Sequence, residues 1–341
     1  MTPRAAQELV FAPRGAFSLA QTSARFARLP DPVNVVGDGS FARLVPAGDD
    51  LALVRVSQEG PASRARLRAR IDGARGDAAE RAARRLLERV LGAGADLRPF
   101  QRALGPDPLL GSALRAHRGL RVVGAFDLFE ALVNAVLTQQ VNLQFAFSIR
   151  AELVRAFGAR ASLDGRQWLA FPSAERVAQA SEAELRAFRM TAAKAGTIAR
   201  LARACASHEL DESLLAPLSD DAAIAALMRW KGVGRWTAEI VLLRGLGRLD
   251  VFPAGDLAVV KRLARTWLGA DEPAKEAEMR AFAERWRPFR SLALVYGLES
   301  LAHGEALRKR GRKPSAQHGA RSEAKPSEER VARGRPRAGP R

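Results

Sequence analysis

The sequence predicts an α+β N-terminal domain (antiparallel sheet plus helix), then an all-α domain, then a disordered basic C-terminal tail. Three observations predict this order. Short apolar segments separated by Pro, Gly and Asp occupy the first quarter of the chain, which is typical of strands and turns. Helical periodicity then continues for about 200 residues. The final stretch has almost no large apolar side chains and cannot offset its ordering entropy. We place the three parts at residues 1–95, 96–304 and 305–341.

The N-terminal domain is predicted to contain short strands and one or two helices. Several segments alternate apolar and polar residues, as half-buried strands do. Asp77 is predicted to begin a helix, with Glu80 as its capping-box partner and Gly92 after its end. The predicted strands are residues 8–12, 16–20, 33–36, 41–44, 51–56 and 64–71.

The second domain is predicted to consist of roughly ten short helices separated by glycines and prolines. Their apolar residues recur with helical spacing, and most of them are expected to form the core. The predicted helices are residues 107–116, 128–140, 142–157, 174–180, 182–188, 192–204, 220–230, 235–246, 257–267, 276–286 and 291–302.

The composition excludes several classes of protein. Hydrophobic residues make up 47% of the 341 residues, so the chain is globular. Cys205 is the only cysteine and the four histidines are scattered, which excludes a disulfide framework, a cysteine-ligated zinc and an iron–sulfur cluster. No signal-peptide core and no run of about 18 apolar residues occurs. We therefore expect a cytoplasmic protein.

The charge favours a polyanionic partner. The net charge is +18 and the pI is about 11.3. Arginine outnumbers lysine 48 to 7, so coding bias is an alternative explanation. Residues 305–341 carry +8 of this charge, which leaves +10 for the first 304 residues. The tail is either a solvated segment without a specific role or a weak DNA tether.

Residues 227–262 are the segment around which the rest of the chain is organised. An apolar helix ends near Trp230, a Lys-Gly-Val-Gly turn follows at residues 231–234, and a second helix begins at Arg235. Gly232 and Gly234 can adopt positive φ and allow close backbone approach. The unpaired amides at the start of the second helix can bind a phosphate. The alternative is an ordinary helical hairpin whose glycines only cap the first helix.

A Gly/Pro-containing loop then leads to one acidic residue, Asp256. It lies 20 residues after Trp236, directly before the predicted helix of residues 257–267. The simpler interpretation is an N-cap aspartate, and it is compatible with a catalytic one. An ionised carboxylate is the group that stabilises an oxocarbenium-like sugar.

These residues resemble the helix-hairpin-helix superfamily of DNA glycosylases, and within it the alkylation-repair branch of bacterial 3-methyladenine DNA glycosylase II. The resemblance lies in the hairpin of residues 227–238, the loop of residues 245–256, and the segments at residues 126–141 and 283–291. The order of a β-rich domain before a helical one also fits, although that match is architectural. The all-α domain is therefore expected to be a helix-hairpin-helix glycosylase domain.

The resemblance implies base excision. The target nucleotide would be extruded from the duplex, and Asp256 would stabilise the cationic sugar or orient the attacking water while the C1′–N bond breaks. Because an alkylated purine is already cationic, it leaves without a strong general acid. In bifunctional relatives a nucleophilic lysine stands where this chain has Trp236, so we expect a monofunctional enzyme that stops at an abasic site. Relatives with an iron–sulfur cluster need four cysteines.

The resemblance also implies the residues of a base pocket. Trp236 is expected to stack on the flipped base, or else to be a core tryptophan. Ile240 and Leu298 stand where the best-known members have further aromatics, and Tyr296 is expected to compensate for them. An aliphatic pocket should stack less strongly on a cationic base. The lesion therefore remains open among 3-methyladenine, 7-methylguanine, hypoxanthine and ethenoadenine.

The DNA contacts implied by the resemblance come from two loops. Gln140 is expected to fill the gap left by the flipped base, with Gln139 beside it; a surface glutamine at a helix end is the alternative. The hairpin contacts are assigned to Lys231, Gly232, Val233, Gly234, Arg235 and Thr237.

The expected partner is double-stranded DNA containing alkylated bases, with no membrane, and the protein is expected to act as a monomer. No cofactor is expected, although the fold would allow a monovalent cation among the hairpin carbonyls. Two other functions fit the same residues. One is a non-catalytic module that binds damaged DNA, and the other is a glycosylase for a deaminated or oxidised base.

Overall fold

The computed structural model describes residues 6–311, with side-chain surroundings up to residue 302. Its first part is a five-stranded antiparallel sheet in the order β1-β5-β4-β3-β2. The strands are β1 (Gln7–Phe11), β2 (Val35–Gly37), β3 (Ser40–Ala47), β4 (Asp50–Glu59) and β5 (Arg66–Gly73). Five of the six predicted strands overlap these elements.

The sixth predicted strand, residues 16–20, is wrong. The chain there enters helix α1, Leu19–Ala27, because the side chain of Ser18 accepts the N–H of Gln21 and caps the helix. Helix α2, Gly76–Arg85, follows the sheet and continues into a π-helical turn. The predicted capping box is not formed: Asp77 lies in the first turn, and the first helical N–H, that of Gly76, donates to Oε1 of Gln7 at 3.0 Å.

Both faces of the sheet are covered, which explains the nearly continuous apolar sequence of β4. Ala52, Val54 and Val56 pack with α1 and α2 in one core. Leu53 packs on the opposite face, against Trp168. Alternate strand residues point to opposite faces, so each core takes every second residue.

The second part is helical, with one short β-hairpin that the prediction of an all-α domain did not include. That hairpin is β6 (Arg160–Leu163) and β7 (Arg166–Leu169), and it carries Trp168. The helices are α3 (Arg98–Leu104), α4 (Gly111–Ala116), α5 (Leu128–Thr138), α6 (Leu143–Phe157), α7 (Ala174–Ala178), α8 (Glu182–Arg186), α9 (Ala192–Ala206), α10 (Glu212–Leu215), α11 (Asp220–Met228), α12 (Arg235–Arg244), α13 (Ala264–Trp267), α14 (Glu276–Ala283) and α15 (Arg290–Gly311).

The predicted order of domains is confirmed: an antiparallel sheet with helices precedes a helical domain. Helix α15 continues seven residues past position 304, and the rest of the predicted tail, residues 312–341, lies outside the described residues. Among the helices within the described range, none is both long and apolar enough to cross a membrane.

A buried ion network joins the sheet to the helices. Glu130 of α5 accepts 2.6 Å and 2.7 Å bonds from Arg43 of β3 and Arg150 of α6, and all three side chains are only 2% exposed. Arg150 also pairs with Asp31, and Arg43 donates to Asn34. Burial alone would raise the pKa of Glu130, but the two guanidinium groups lower it to about 2. The network therefore fixes α5 and α6 against the sheet.

Candidate active site

The predicted hairpin lies between α11 and α12. Its turn is closed by the N–H of Val233, which donates to the carbonyl of Trp230 at 3.0 Å. Gly232 has φ of +94°, and a Cβ there would lie 2.0 Å from Oγ1 of Thr197, so this position requires glycine twice over. Gly234 has φ of −89° and open space around its Cα. Positive φ is therefore confirmed for Gly232 and wrong for Gly234.

The start of α12 presents backbone donors to solvent. Gly234 is the N-cap and is exposed, and no side chain caps the helix. Within the described residues, the amides of positions 234–237 have no recorded acceptor. Unpaired amides at a helix N-terminus carry partial positive charge and bind phosphate well. The open space at Gly234 would let a phosphodiester approach them closely.

The hairpin side chains divide into exposed and buried groups. Lys231 and Arg235 are exposed and can reach a phosphate. Val233 and Thr237 are only 5% and 2% exposed, so their side chains belong to the core, and the expectation that they contact DNA applies only to their backbone. One donor of Arg235 is already used within the protein, since its Nε donates to Glu239 at 3.2 Å.

Asp256 and Trp236 meet at the centre of this region. The indole Nε1 of Trp236 donates to Oδ2 of Asp256 at 3.0 Å. Oδ1 of Asp256 accepts the N–H of Ala258 at 2.8 Å, as an N-cap does. The helical segment that begins there continues through a π-helical turn, Val259–Leu263, into α13. Both residues are half-buried. The two donors fix the carboxylate plane, so Asp256 is at once a helix cap and an oriented acid. Trp236 is neither a pure core residue nor a free stacking face.

The loop that delivers Asp256 is held on two sides. Ser291 at the start of α15 bonds to both the N–H and the carbonyl of Val251, at 3.1 Å and 2.8 Å. Arg280 of α14 bonds to the carbonyl of Phe252 at 3.2 Å and to Glu239 of α12 at 2.8 Å. Burial raises the pKa of Glu239, against the effect of Arg280. The loop and the hairpin helix are thus positioned by one set of polar contacts.

One face of α12 runs from Trp236, which bonds to Asp256, to Arg244, which lines a small cavity. Trp236, Ile240 and Arg244 follow one another at intervals of four residues and share that face. The cavity has a volume of about 30 Å³ and is lined by Arg244, by Leu298 of α15 and by residues of α1, including Arg25. A space of that size holds about one water molecule, so a base could enter only after the walls move apart.

The cavity is charged as well as aliphatic. Burial lowers the pKa of Arg244 to about 9 and also lowers that of Arg25, while the carboxylates of Glu299 and Asp256 act in the opposite direction on both. Arg28 lies 3.9 Å from Glu299 at the rim. Three arginines (Arg25, Arg121 and Arg244) and one carboxylate (Glu299) therefore line the cavity, and the carboxylate of Asp256 acts on two of them from outside the lining.

Sequence reasoning missed Arg25, Arg244 and Glu299. The spacing of Arg244 from Trp236 could have identified it. The sequence pattern does not reveal Arg25, because it predicts a strand over residues 16–20, where α1 begins. On a helix Gln21 and Arg25 share one face, and both line the cavity.

Tyr296 does not compensate for the missing aromatics. It is 1% exposed, its hydroxyl donates to the carbonyl of Leu120 at 3.0 Å, and its ring packs 5.2 Å from that of Phe100. Burial raises its pKa to about 12. Tyr296 is a core residue, and of the two pocket positions near the C-terminus only Leu298 lines the cavity.

A larger cavity of about 310 Å³ lies between the π-helical turn after α2 and the end of α12. Neither Asp256 nor Trp236 lines it, and neither lines the smaller cavity; Arg244 and Arg121 line both. Among the side chains placed by the structure, no group of three His, Cys, Asp or Glu residues could hold a metal ion.

Gln139 and Gln140 lie in the loop between α5 and α6, beside the hairpin. Gln140 is exposed with φ of +53°, a position from which its side chain can reach DNA. Gln139 instead donates to the carbonyl of Gly232 at 3.0 Å and to Oγ1 of Thr237 at 2.9 Å. Both of its N–H donors are used inside the protein.

Known proteins match both parts of the chain. Residues 133–288 match the HhH-GPD superfamily of base excision DNA repair proteins, and residues 23–127 match the AlkA N-terminal domain family. The chain is 36% identical over 201 residues to the DNA-3-methyladenine glycosylase of Bacillus subtilis, covering 59% of this chain and 66% of that protein. It is 33% identical over 187 residues to DNA-3-methyladenine glycosylase 2 of Escherichia coli, covering 55% and 62%. The matches thus span just under two thirds of these relatives.

Solved structures show the same fold. The 3-methyladenine DNA-glycosylase from Archaeoglobus fulgidus superposes with a TM-score of 0.74 at 26% identity, covering 86% of this chain and 98% of that one. The two family models, the sequence relatives and this superposition agree on the family. The helical domain, over residues 133–288, belongs to the HhH-GPD superfamily of base excision DNA repair proteins.

Proposed function

We propose that this protein is a monofunctional DNA glycosylase that hydrolyses the N-glycosidic bond of alkylated purines of the 3-methyladenine type, flipped out of duplex DNA, and leaves an abasic site. The observation that carries the proposal is the bond between Trp236 and Asp256, which places an oriented carboxylate beside the phosphate-binding end of α12. The names of the relatives from B. subtilis and E. coli support the class of lesion.

Asp256 is proposed as the catalytic residue. As the C1′–N bond breaks, its electron pair leaves with the purine and positive charge develops on the sugar. The carboxylate of Asp256, held by Trp236 and Ala258, lies where it can stabilise that charge. A water molecule then adds to C1′ and gives up one proton, which Asp256 can accept. The products are the free base and an abasic sugar.

The chain lacks an amine at the position that would form a Schiff base. Trp236 occupies it, and the N–H of its indole is bonded to the acid. An indole nitrogen is not a nucleophile, because its lone pair belongs to the aromatic system. Strand cleavage by a lyase step is therefore not part of the proposal.

A cationic base suits this site. An alkylated purine carries its own positive charge and leaves as a neutral base, so no strong general acid is required. The charged wall of Arg25, Arg244 and Glu299, together with Ile240 and Leu298, would replace part of the stacking surface that aromatics would supply. We expect weaker stacking on the base and a greater contribution from polar contacts.

DNA binding is assigned to the exposed amides at Gly234 and Arg235, to the side chains of Lys231 and Arg235, and to Gln140. Such phosphate contacts position the duplex and make affinity salt-dependent. We further propose that the protein acts as a monomer in the cytoplasm.

A monovalent cation among the hairpin carbonyls remains part of the proposal. The carbonyls of Lys231 and Gly232 already accept bonds from Arg200 and Gln139, at 3.3 Å and 3.0 Å, so a cation would use their neighbours. Duplex affinity in potassium and in choline buffers of equal ionic strength tests this. Weaker binding in choline is expected, and equal binding would contradict a cation site.

The test of the function is base release from duplexes that each carry one lesion, followed by alkaline cleavage at abasic sites. We expect release from the alkylated-purine duplex and no cleavage without alkali. Intact binding with no release from any lesion would instead favour a non-catalytic binding module.

A further inference from the structure

The loop that carries Gln140 is tied to the hairpin by Gln139. The side-chain Nε2 of Gln139 bonds to the carbonyl of Gly232 and to the hydroxyl of Thr237, across more than 90 residues of sequence. The orientation of this amide is fixed, since a backbone carbonyl only accepts and must face the NH₂ group. Gln139 therefore has no donor left for DNA, although the sequence assigned it a DNA contact.

Helix α9 supports both loops from one face. The ammonium group of Lys194 donates to the carbonyls of Leu137 and Gln139 at 2.9 Å and 2.8 Å. Three residues on, Thr197 lies directly beneath Gly232, which cannot carry a Cβ at that distance. Residues three apart on a helix are neighbours on its surface. The Gln140 loop and the hairpin turn are thus both supported by α9.

Gln140, the next residue in this loop, is held in a restricted backbone conformation. Its φ of +53° is uncommon for a residue with a side chain. Such a conformation persists only when its surroundings fix it. On the C-terminal side of Gln140, Asn142 caps α6 by accepting the N–H of Phe145 at 2.8 Å. The side chain of Gln140 is left exposed.

We propose that Gln139 is a positioning residue that locks the Gln140 loop to the phosphate-binding hairpin. A duplex bound at the hairpin then meets Gln140 at a set distance, ready to fill the space of an extruded nucleotide. Because the loop is ordered before binding, little conformational entropy is lost on insertion. This inference rests on the proposed function, in that it assumes nucleotide extrusion, but it concerns binding and not bond cleavage.

The test compares affinity for two duplexes of the same sequence, one intact and one carrying a tetrahydrofuran abasic-site analogue. The wild-type protein should prefer the analogue. Gln139→Leu, which keeps the size but loses both hydrogen bonds, should reduce that preference about tenfold and leave intact-duplex affinity within about twofold. Thr237→Val removes only one acceptor and should reduce the preference about threefold. Gln167→Leu, at an exposed glutamine on β7, is the matched control and should change neither affinity.

A double-mutant cycle separates positioning from a general structural role. If Gln139 acts through Gln140, Gln139→Leu should change the preference less than about twofold in a Gln140→Ala background. An equal loss in both backgrounds would overturn the proposal, as would an unchanged preference in Gln139→Leu or no preference in the wild type. A wild-type protein that prefers the analogue but releases no alkylated base would refute the proposed function and leave this inference standing.

Discussion

The indole N–H of Trp236 lies 3.0 Å from Oδ2 of Asp256, and the two residues are 20 positions apart in the chain. This bond connects the hairpin helix to the loop that follows it. Trp236 therefore orients the carboxylate of Asp256. The second oxygen of Asp256 accepts the N–H of Ala258, so each carboxylate oxygen holds one hydrogen bond.

Replacing Trp236 with phenylalanine keeps an aromatic ring and removes the donor. We expect the single-turnover rate of base release to fall about tenfold, because a hydrogen bond to a carboxylate contributes roughly 1.5–3 kcal/mol. Affinity for undamaged duplex should not change. Trp168→Phe, on the hairpin that covers the sheet, is the control. An unchanged rate in Trp236→Phe would show that the indole N–H plays no part.

The two hairpin glycines should respond differently to alanine. Gly234→Ala meets open space at an ordinary φ, so its stability should be unchanged while duplex affinity falls about tenfold, because a methyl group would stand between the amides and the phosphate. Gly232→Ala should lose on the order of 1–3 kcal/mol of stability through its positive φ and contact with Thr197.

Urea denaturation and a salt titration of duplex binding measure the two effects. Unchanged duplex affinity in Gly234→Ala would count against phosphate binding at the start of α12. Unchanged stability in Gly232→Ala would contradict the close packing of the turn on α9.

The buried ion network around Glu130 should make the free energy of unfolding depend on pH in the acidic range. The pKa of Glu130 falls from an ordinary 4.5 to about 2 in the folded protein, so its contribution is complete above about pH 5 and is lost as the pH falls towards 2. Glu130→Gln should lower the free energy of unfolding by roughly 3–5 kcal/mol near neutral pH, because it leaves Arg43 and Arg150 buried without their anion.

The difference in unfolding free energy between wild type and Glu130→Gln should shrink between pH 6 and pH 3. Urea denaturation of both proteins at each pH measures it. A difference that stays constant over this range would mean that Glu130 is not held charged by the two arginines.

The charged side chains that line the small cavity should affect the rate of base release and not the affinity for intact duplex. Arg25→Met keeps the length of the side chain and removes its charge, so we expect the rate of base release to change by roughly three- to tenfold with unchanged intact-duplex affinity. Arg28→Met, at the exposed rim, is a matched control. Equal rates of base release by the wild type and Arg25→Met would show that the flipped base does not bind at the cavity lined by Arg25.

The sequence predicted the part of the site whose residues lie close together in the chain. The hairpin, the cap at Asp256 and its distance from Trp236 all lie within 30 residues, and their turn and cap chemistry is visible in the residues themselves. The cavity could not be predicted in this way, because α1, α12 and α15 bring together Arg25, Arg244 and Glu299 from distant positions.

Two errors have specific causes. Residues 16–20 alternate weakly and were interpreted as a strand, but Ser18 supplies a cap that starts α1 instead. Tyr296 was placed in the pocket because it is two residues from Leu298. Residues two apart on an α-helix do not share a face, so Tyr296 points into the core while Leu298 lines the cavity.

The most direct test of the account is the single-turnover rate of base release by Asp256→Asn on a duplex with one alkylated purine. Asparagine keeps the size of the side chain, but its single oxygen can accept from only one of Trp236 and Ala258, and it has no charge to stabilise the cationic sugar. We predict a rate at least about 100-fold below that of the wild type, with unchanged affinity for the duplex. A rate equal to that of the wild type would contradict the assignment of Asp256 as the catalytic residue.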